Sequence, residues 1–135
     1  MILDTSVVIA ILKDEPEADS FSVILEATHL VRISAANYFE SSLVIDGWNN
    51  PKLSVELDEM MERSRVIVEP VTLDQARIAR QAYRDYGKGS GHPAGLNFGD
   101  CFSYALARVK REPLLFKGDN FVHTDIRPAA KLDPL

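Results

Sequence analysis

Short β-prone apolar runs alternate with longer stretches of helical spacing along this chain, and that alternation constrains the fold more than any other feature. The apolar runs cover residues 1–3, 30–33, 66–68 and 114–116. Between them, apolar residues recur every three or four positions, as in helices with one buried face. Residues 7–12 and 17–27 form the first such pair, with Phe21, Ile24 and Leu25 on one face of the second. Ser34 is placed to cap a helix running to Trp48, which Asn49-Asn50-Pro51 closes. Residues 53–63 carry Leu57, Met60 and Met61 at helical spacing. Thr72 caps a further helix with Ala76, Ala79, Ala82 and Tyr83 inward, and Asn97 opens the next. Parallel strands need crossover connections of this length, and their sheets are covered by helices on both faces. The expected fold is therefore α/β with a central parallel sheet of four to five strands, the fifth a short one near Ile126.

A sequence of 135 residues, 46% hydrophobic and 26% charged, carries one core of useful size and not two, so residues 1–135 read as a single domain. The net charge of -5 argues against a protein that coats nucleic acid through a broad basic surface. It leaves room for an enzyme with an acidic cleft and a local basic rim. Cys101 is the only cysteine, which excludes an intrachain disulfide and a cysteine-based zinc site and suits a reducing compartment. The sequence opens with no basic leader, and no apolar run approaches the roughly 18 residues of a membrane span. A cytoplasmic protein without a membrane segment is expected.

In open α/β sheets, ligands bind beyond the carboxyl ends of the strands. Asp4 follows the first apolar run and Asp119 the last, in Lys117-Gly118-Asp119-Asn120-Phe121, so both fall at that edge. Either alone is equally well explained as a turn or helix-capping residue. Glu40 lies on a helical stripe with Ala36, Leu43 and Gly47, where a carboxylate is costly unless an arginine, an exposed edge or a metal ion relieves it. Asp100 follows Asn97 in the first helical turn, where a carboxylate suits the positive end of the helix and capping explains it without function. The flanking Gly99, after a glycine-rich loop at residues 87–95, suggests that something comes close there. Together the four acids describe a site for a hard divalent cation, Mg2+ or Mn2+, which prefers oxygen ligands, activates water and neutralises phosphate charge. His29, His92 and His123 have no metal-ligand spacing and read as surface or turn residues.

These residues also carry a family resemblance. Ile2-Leu3-Asp4-Thr5-Ser6, Ser34-Ala35-Ala36-Asn37-Tyr38-Phe39-Glu40, Asn97-Phe98-Gly99-Asp100-Cys101 and Leu115-Phe116-Lys117-Gly118-Asp119 occur in order over essentially the whole chain. In them the sequence resembles the PIN-domain toxins of the VapC type. The resemblance implies a three-layer α/β/α PIN domain. It implies a Mg2+- or Mn2+-dependent endoribonuclease that cuts structured RNA, often transfer or ribosomal RNA, and so inhibits translation. It also implies a VapB-type antitoxin that blocks the site, and a toxin homodimer. Carried over position by position, it makes Asp4, Glu40, Asp100 and Asp119 the catalytic and metal-binding acids. Thr5 and Ser6 stand where the family places hydroxyls that support the carboxylates or a metal-site water. Relatives often carry the last acid two positions after Gly118, where this chain has Asn120. Either Asp119 takes that role with Asn120 in support, or Asp119 is itself a supporting group.

An RNA enzyme of this charge needs local cations, and Arg84, Lys88 and Lys117 are the expected ones. Arg84 shares a stripe with Arg77 and Arg80 whose ordinary reading is a solvated helix face. Tyr38, Tyr86 and Phe98 are able to stack on bases, although core packing is the expected use of Phe98. Cys101 reads as a small buried hydrophobe. The apolar residues of the first two helices serve either the core or a groove for an antitoxin helix. A receiver domain would carry an acidic pair after its first strand, and an aspartyl phosphatase a second Asp at Ser6. The remaining competitor is a non-catalytic PIN domain that binds RNA or acts as a scaffold.

Overall fold

The sheet is built from strands of two or three residues. In the computed structural model, which describes residues 1–129, they are β1 (Ile2–Leu3), β2 (Arg32–Ser34), β3 (Ile67–Glu69) and β4 (Leu114–Leu115). All run parallel in the order β3-β2-β1-β4, with Ile2 level with both Arg32 and Leu114. The fifth strand expected near Ile126 is reduced to one bridge, Pro128 beside Leu114. The Leu114 amide donates to the Arg127 carbonyl (2.9 Å), and the Ala129 amide donates to the Leu114 carbonyl (2.8 Å). Pro128 between them turns its nitrogen to the outer edge, where the missing N–H offers no donor to a further strand.

Successive strand residues point to opposite faces, so the central strand β1 and its neighbour β4 feed two cores, while the edge strand β3 is largely exposed. Ile2 and Leu114 enter one, with Ala79, Ala82, Leu106 and Phe121. Leu3, Ile33 and Leu115 enter the other, with Val7, Phe21, Ile45 and Met60. Helices α5 (Leu73–Tyr86) and α6 (Phe98–Lys110) cover the first face. The second is covered by α1 (Thr5–Leu12), α2 (Ala18–Ala27), α3 (Ala35–Gly47) and α4 (Pro51–Arg63). The result is the expected three-layer arrangement. Val8, Ile9, Ile11, Leu12, Phe21, Ile24 and Leu25 are all buried or partly buried in this second core, which accounts for the apolar richness of α1 and α2.

Two helix starts differ from the sequence reading, both because a polar residue caps. Asp4 accepts the Ser6 amide (3.0 Å), so α1 begins at Thr5 and not at Val7. Asn50 accepts the Lys52 amide (3.2 Å) with Pro51 in the first turn, so the tripeptide that reads as closing α3 opens α4. Helix α5 is rotated from the expected face. Gln75, Ala79 and Ala82 are buried, while Ala76 and Tyr83 face outward, Tyr83 held there by its hydroxyl donating to the Lys88 carbonyl (2.8 Å). The loop that follows is closed by the Lys88 amide on the Leu96 carbonyl (2.8 Å) and the Leu96 amide on the Tyr86 carbonyl (2.9 Å). Gly87 is required at its base, since a Cβ there would lie 2.2 Å from the Tyr83 carbonyl oxygen. Among the described residues no helix is long and apolar enough to cross a membrane.

Candidate active site

Three of the four expected acids lie near one another at the carboxyl edge of the sheet. Asp4 leaves β1 only 3% exposed. Its Oδ2 accepts the Ser6 amide (3.0 Å) and the Ser6 hydroxyl (2.6 Å), and its Oδ1 accepts the Ser103 hydroxyl (2.5 Å). Ser6 Oγ in turn accepts the Lys117 amide (2.9 Å), tying the segment after β4 to the same carboxylate. Glu40 projects from α3 and is half-buried, although Leu43 and Gly47 on its stripe are exposed, so the stripe is less apolar in its surroundings than the sequence suggests. Its carboxylate lies on the Cα of Gly99: a Cβ built there would sit 2.3 Å and 2.5 Å from the two oxygens. Glu40 is thus the group whose approach the glycine anticipated.

Asp100 stands in the first turn of α6. It forms a capping box with Asn97, accepting the Asn97 amide at Oδ2 (3.0 Å) while Asn97 Oδ1 accepts the Asp100 amide (2.9 Å). The capping reading is correct and incomplete. Burial pushes the Asp100 carboxyl above its ordinary range, and the negative charges of Asp4 and Glu40 add to that push. Hydrogen bonds from the Asn97 backbone and the Asn120 side chain oppose it. Asp100 therefore feels both of the other acids.

Two buried residues that hold the cluster together escaped the sequence reading. Asn37 is fully buried and donates through Nδ2 to the Gly99 carbonyl (2.9 Å) and to Thr5 Oγ1 (3.2 Å). One side chain thereby joins the neighbours of Asp4, Glu40 and Asp100. Its Oδ1 is buried without a partner. Ser103, also fully buried, links Asp4 to α6. The available signals were spacing: Asn37 lies one turn before Glu40, and Ser103 one turn after Asp100.

The other expected residues divide. Asp119 is exposed and makes no side-chain hydrogen bond or ion pair among the described residues, whereas Asn120 donates to Asp100 Oδ2 (3.3 Å). The amide, not the neighbouring acid, reaches the cluster. Lys117 is drawn away from it by Glu15 (2.5 Å) and Glu17 (2.9 Å). Arg84 and Lys88 line an open groove of about 630 Å³ between α5 and α6, beside Asn97. Phe98, the first residue of α6, stands in that groove 77% exposed and not in the core, its ring edge-on to Phe102. Cys101 is buried as expected, and burial together with the neighbouring Asp100 pushes its thiol up to about 11.

The donor set suits a hard cation. Asp4, Glu40 and Asp100 offer carboxylate oxygens, and none of them has a cationic side-chain partner among the described residues. Mutually repelling carboxylates without a counter-charge are relieved by a divalent ion. As they stand, no three acidic, histidine or cysteine side chains among the described residues converge on one point. Mg2+ does not require it, since it keeps several waters and is commonly held by one or two carboxylates with substrate phosphate. The residues fit such an ion.

Residues 1–127 match the PIN domain family. A curated relative, ribonuclease VapC28 of Mycobacterium tuberculosis, is 54% identical over 129 residues, covering 96% of this chain and 97% of the relative. Among solved structures, VapC20 of Mycobacterium tuberculosis, described as a sarcin–ricin loop cleaving toxin, superposes with a TM-score of 0.68 at 20% identity, covering 94% of this chain and 98% of that one. A toxin–antitoxin complex from Klebsiella pneumoniae gives a TM-score of 0.65 at 19% identity, covering 89% and 88%. These two structures share the fold.

Proposed function

The chain belongs to the PIN-domain family, in its VapC branch of ribonuclease toxins, and from that premise we propose that it is a Mg2+- or Mn2+-dependent endoribonuclease. The observation that supports the metal dependence is the placement of Asp4, Glu40 and Asp100 at one sheet edge, Glu40 against Gly99 and Asp4 tied to α6 through Ser103, with no cationic side-chain partner among the described residues. Asp4 and Asp100 would hold the ion, with Glu40 beside them ligating it or orienting a water. When bound, the ion supplies positive charge to the phosphate and acidifies the attacking water.

The remaining steps fall to the chain's own groups. Ser6 and Ser103 occupy both oxygens of Asp4 and fix its plane, so it need not reorganise when a ligand arrives. The Asn97 backbone amide and the Asn120 side chain both donate to Oδ2 of Asp100 and orient that carboxylate. In-line attack of water on phosphorus leaves a 5′-phosphate and a 3′-hydroxyl. The substrates we propose are structured RNAs, transfer or ribosomal, whose loss stops translation. This is consistent with the substrate in VapC20's description. A VapB-type antitoxin would silence the site, as the complexed fold relative suggests, and the toxin would act as a homodimer.

Calorimetric titration with Mn2+ tests the trio directly. Binding that disappears in Asp100→Asn while the fold is retained supports the reading, and equal binding by both proteins refutes it. Cleavage products ending in a 2′,3′-cyclic phosphate would refute the water attack. One observation favours a non-catalytic, RNA-binding role: an amide, Asn120, stands where a fourth acid would. A chain that binds metal and RNA but leaves RNA whole decides for that role.

A further inference from the structure

The cations nearest the acids differ in how they are compensated. Lys117 is neutralised by Glu15 and Glu17, Arg77 lies 3.9 Å from Asp74, and Arg108 is bound to Asp125. Arg80, Arg84 and Lys88 take part in no ion pair among the described residues, and no acidic side chain lines the α5–α6 groove with them. In a chain of net charge -5, three uncompensated cations in one groove mark a place for an anion.

The groove also presents aromatic surface. Phe98 is 77% exposed, braced edge-on by Phe102 with ring centroids 4.9 Å apart. Tyr83 faces the same space with its hydroxyl already committed to the Lys88 carbonyl. Leaving a phenylalanine in water forgoes its burial, so an exposed ring fixed by a neighbour suits a ligand with an apolar face. A nucleotide has both an apolar face and an anionic backbone. Position selects it further, because Asn97 lines the groove and caps Asp100.

We infer that the α5–α6 groove is a nucleotide subsite that seats one unpaired RNA nucleotide next to the bond that is cut. Its base stacks on Phe98, and the flanking phosphates meet Arg80, Arg84 and Lys88. The choice of RNA rests on the nuclease reading above; the choice of groove does not. A base inside a duplex is covered on both faces, so this subsite selects single-stranded or looped RNA.

Fluorescence anisotropy of a labelled single-stranded oligoribonucleotide, in chelator and with its integrity checked afterwards, tests the inference without cutting. Phe98→Ala removes an exposed ring and keeps the fold, which circular dichroism verifies. Expected results are a loss of affinity of about 10-fold in Phe98→Ala, and near-native affinity in Phe98→Tyr. An abasic oligonucleotide should bind wild type and Phe98→Ala alike. Arg84→Ala should lower the salt dependence by about one counterion. Equal binding of the normal oligonucleotide by wild type and Phe98→Ala overturns the inference. So does Phe98→Ala turning a dimer into a monomer by light scattering with affinity per chain unchanged, which gives the ring to a second copy. A chain that binds through Phe98 but never cuts refutes the nuclease reading alone. A chain that cuts while binding ignores Phe98 refutes the subsite alone.

Discussion

Replacing Gly99 with alanine is expected to separate the fold from the chemistry. A Cβ at this position would lie 2.3 Å and 2.5 Å from the carboxylate oxygens of Glu40 and 2.6 Å from its carboxyl carbon. These are its nearest neighbours, and all belong to the far end of a flexible side chain. The carboxylate must retreat by about 1 Å to reach ordinary contact, and a displacement of that size at a reacting centre costs ~100-fold in rate. Moving a half-buried glutamate off its preferred rotamer costs on the order of 0.5–1.5 kcal/mol. Alanine regains roughly 0.5–1 kcal/mol over glycine inside a helix. The two stability terms nearly cancel.

Urea unfolding and the initial rate of cleavage of a labelled RNA, measured on the same preparation, check both halves. Gly99→Ala should keep its folding free energy within about 1 kcal/mol of wild type and cut ~100-fold more slowly. Combining it with Glu40→Gln should add little further loss, because both changes remove one function. Two results would refute the reasoning. Unfolding of the variant at much lower urea would mean that the backbone itself needs glycine here. Cleavage at the wild-type rate would mean that the placement of Glu40 is irrelevant.

Further outcomes follow from the same geometry. Because burial and the charges of Asp4 and Glu40 raise the Asp100 carboxyl, its ionisation costs folded-state stability, a penalty absent below pH 3.8 and fully present above the raised value. Asp100→Asn should therefore melt at or above wild type at neutral pH, with the difference closing as pH falls; a lower melting point at neutral pH contradicts this. Mn2+ at about 100 times its dissociation constant should add about 2.7 kcal/mol to the unfolding free energy of wild type. Asp4→Asn should lose most of that gain in a thermal-shift titration. Asn37→Ala removes the two hydrogen bonds of a buried side chain, to the Gly99 carbonyl and to Thr5 Oγ1, and should cost about 1–3 kcal/mol by urea unfolding, with unchanged stability counting against the role assigned to Asn37.

The layers and the sheet edge were legible because they rest on local signals. The apolar runs Ile2-Leu3, Ile33 and Leu114-Leu115 mark buried strands, the exposed edge strand β3 reads from its β-prone Ile67-Val68, and Asp4 and Asp100 follow from caps beside them. What was not legible depends on how far a segment turns after its last local signal. Gly118, at φ +101°, swings the chain so that Asn120 and not Asp119 meets Asp100. Sequence order alone does not choose between adjacent residues there. Phe98 reads as core by composition, yet it is the first residue of α6 and its ring lies in the open groove against Phe102. Lys117 sits beside Asp119 in sequence, but Glu15 and Glu17 in the turn between α1 and α2 capture it, a pairing more than a hundred positions long for Glu15. Asn37 and Ser103 carry no motif of their own, and only the packing of α1, α3 and α6 gives them partners.

The central claim is tested most directly by exposing total cellular RNA to the purified, antitoxin-free chain with Mn2+ or Mg2+, with chelator, and beside Asp4→Asn. The account predicts discrete fragments with 5′-phosphate ends that require both the metal and Asp4. Intact RNA from a folded, metal-loaded protein, or equal cutting in chelator, would contradict it.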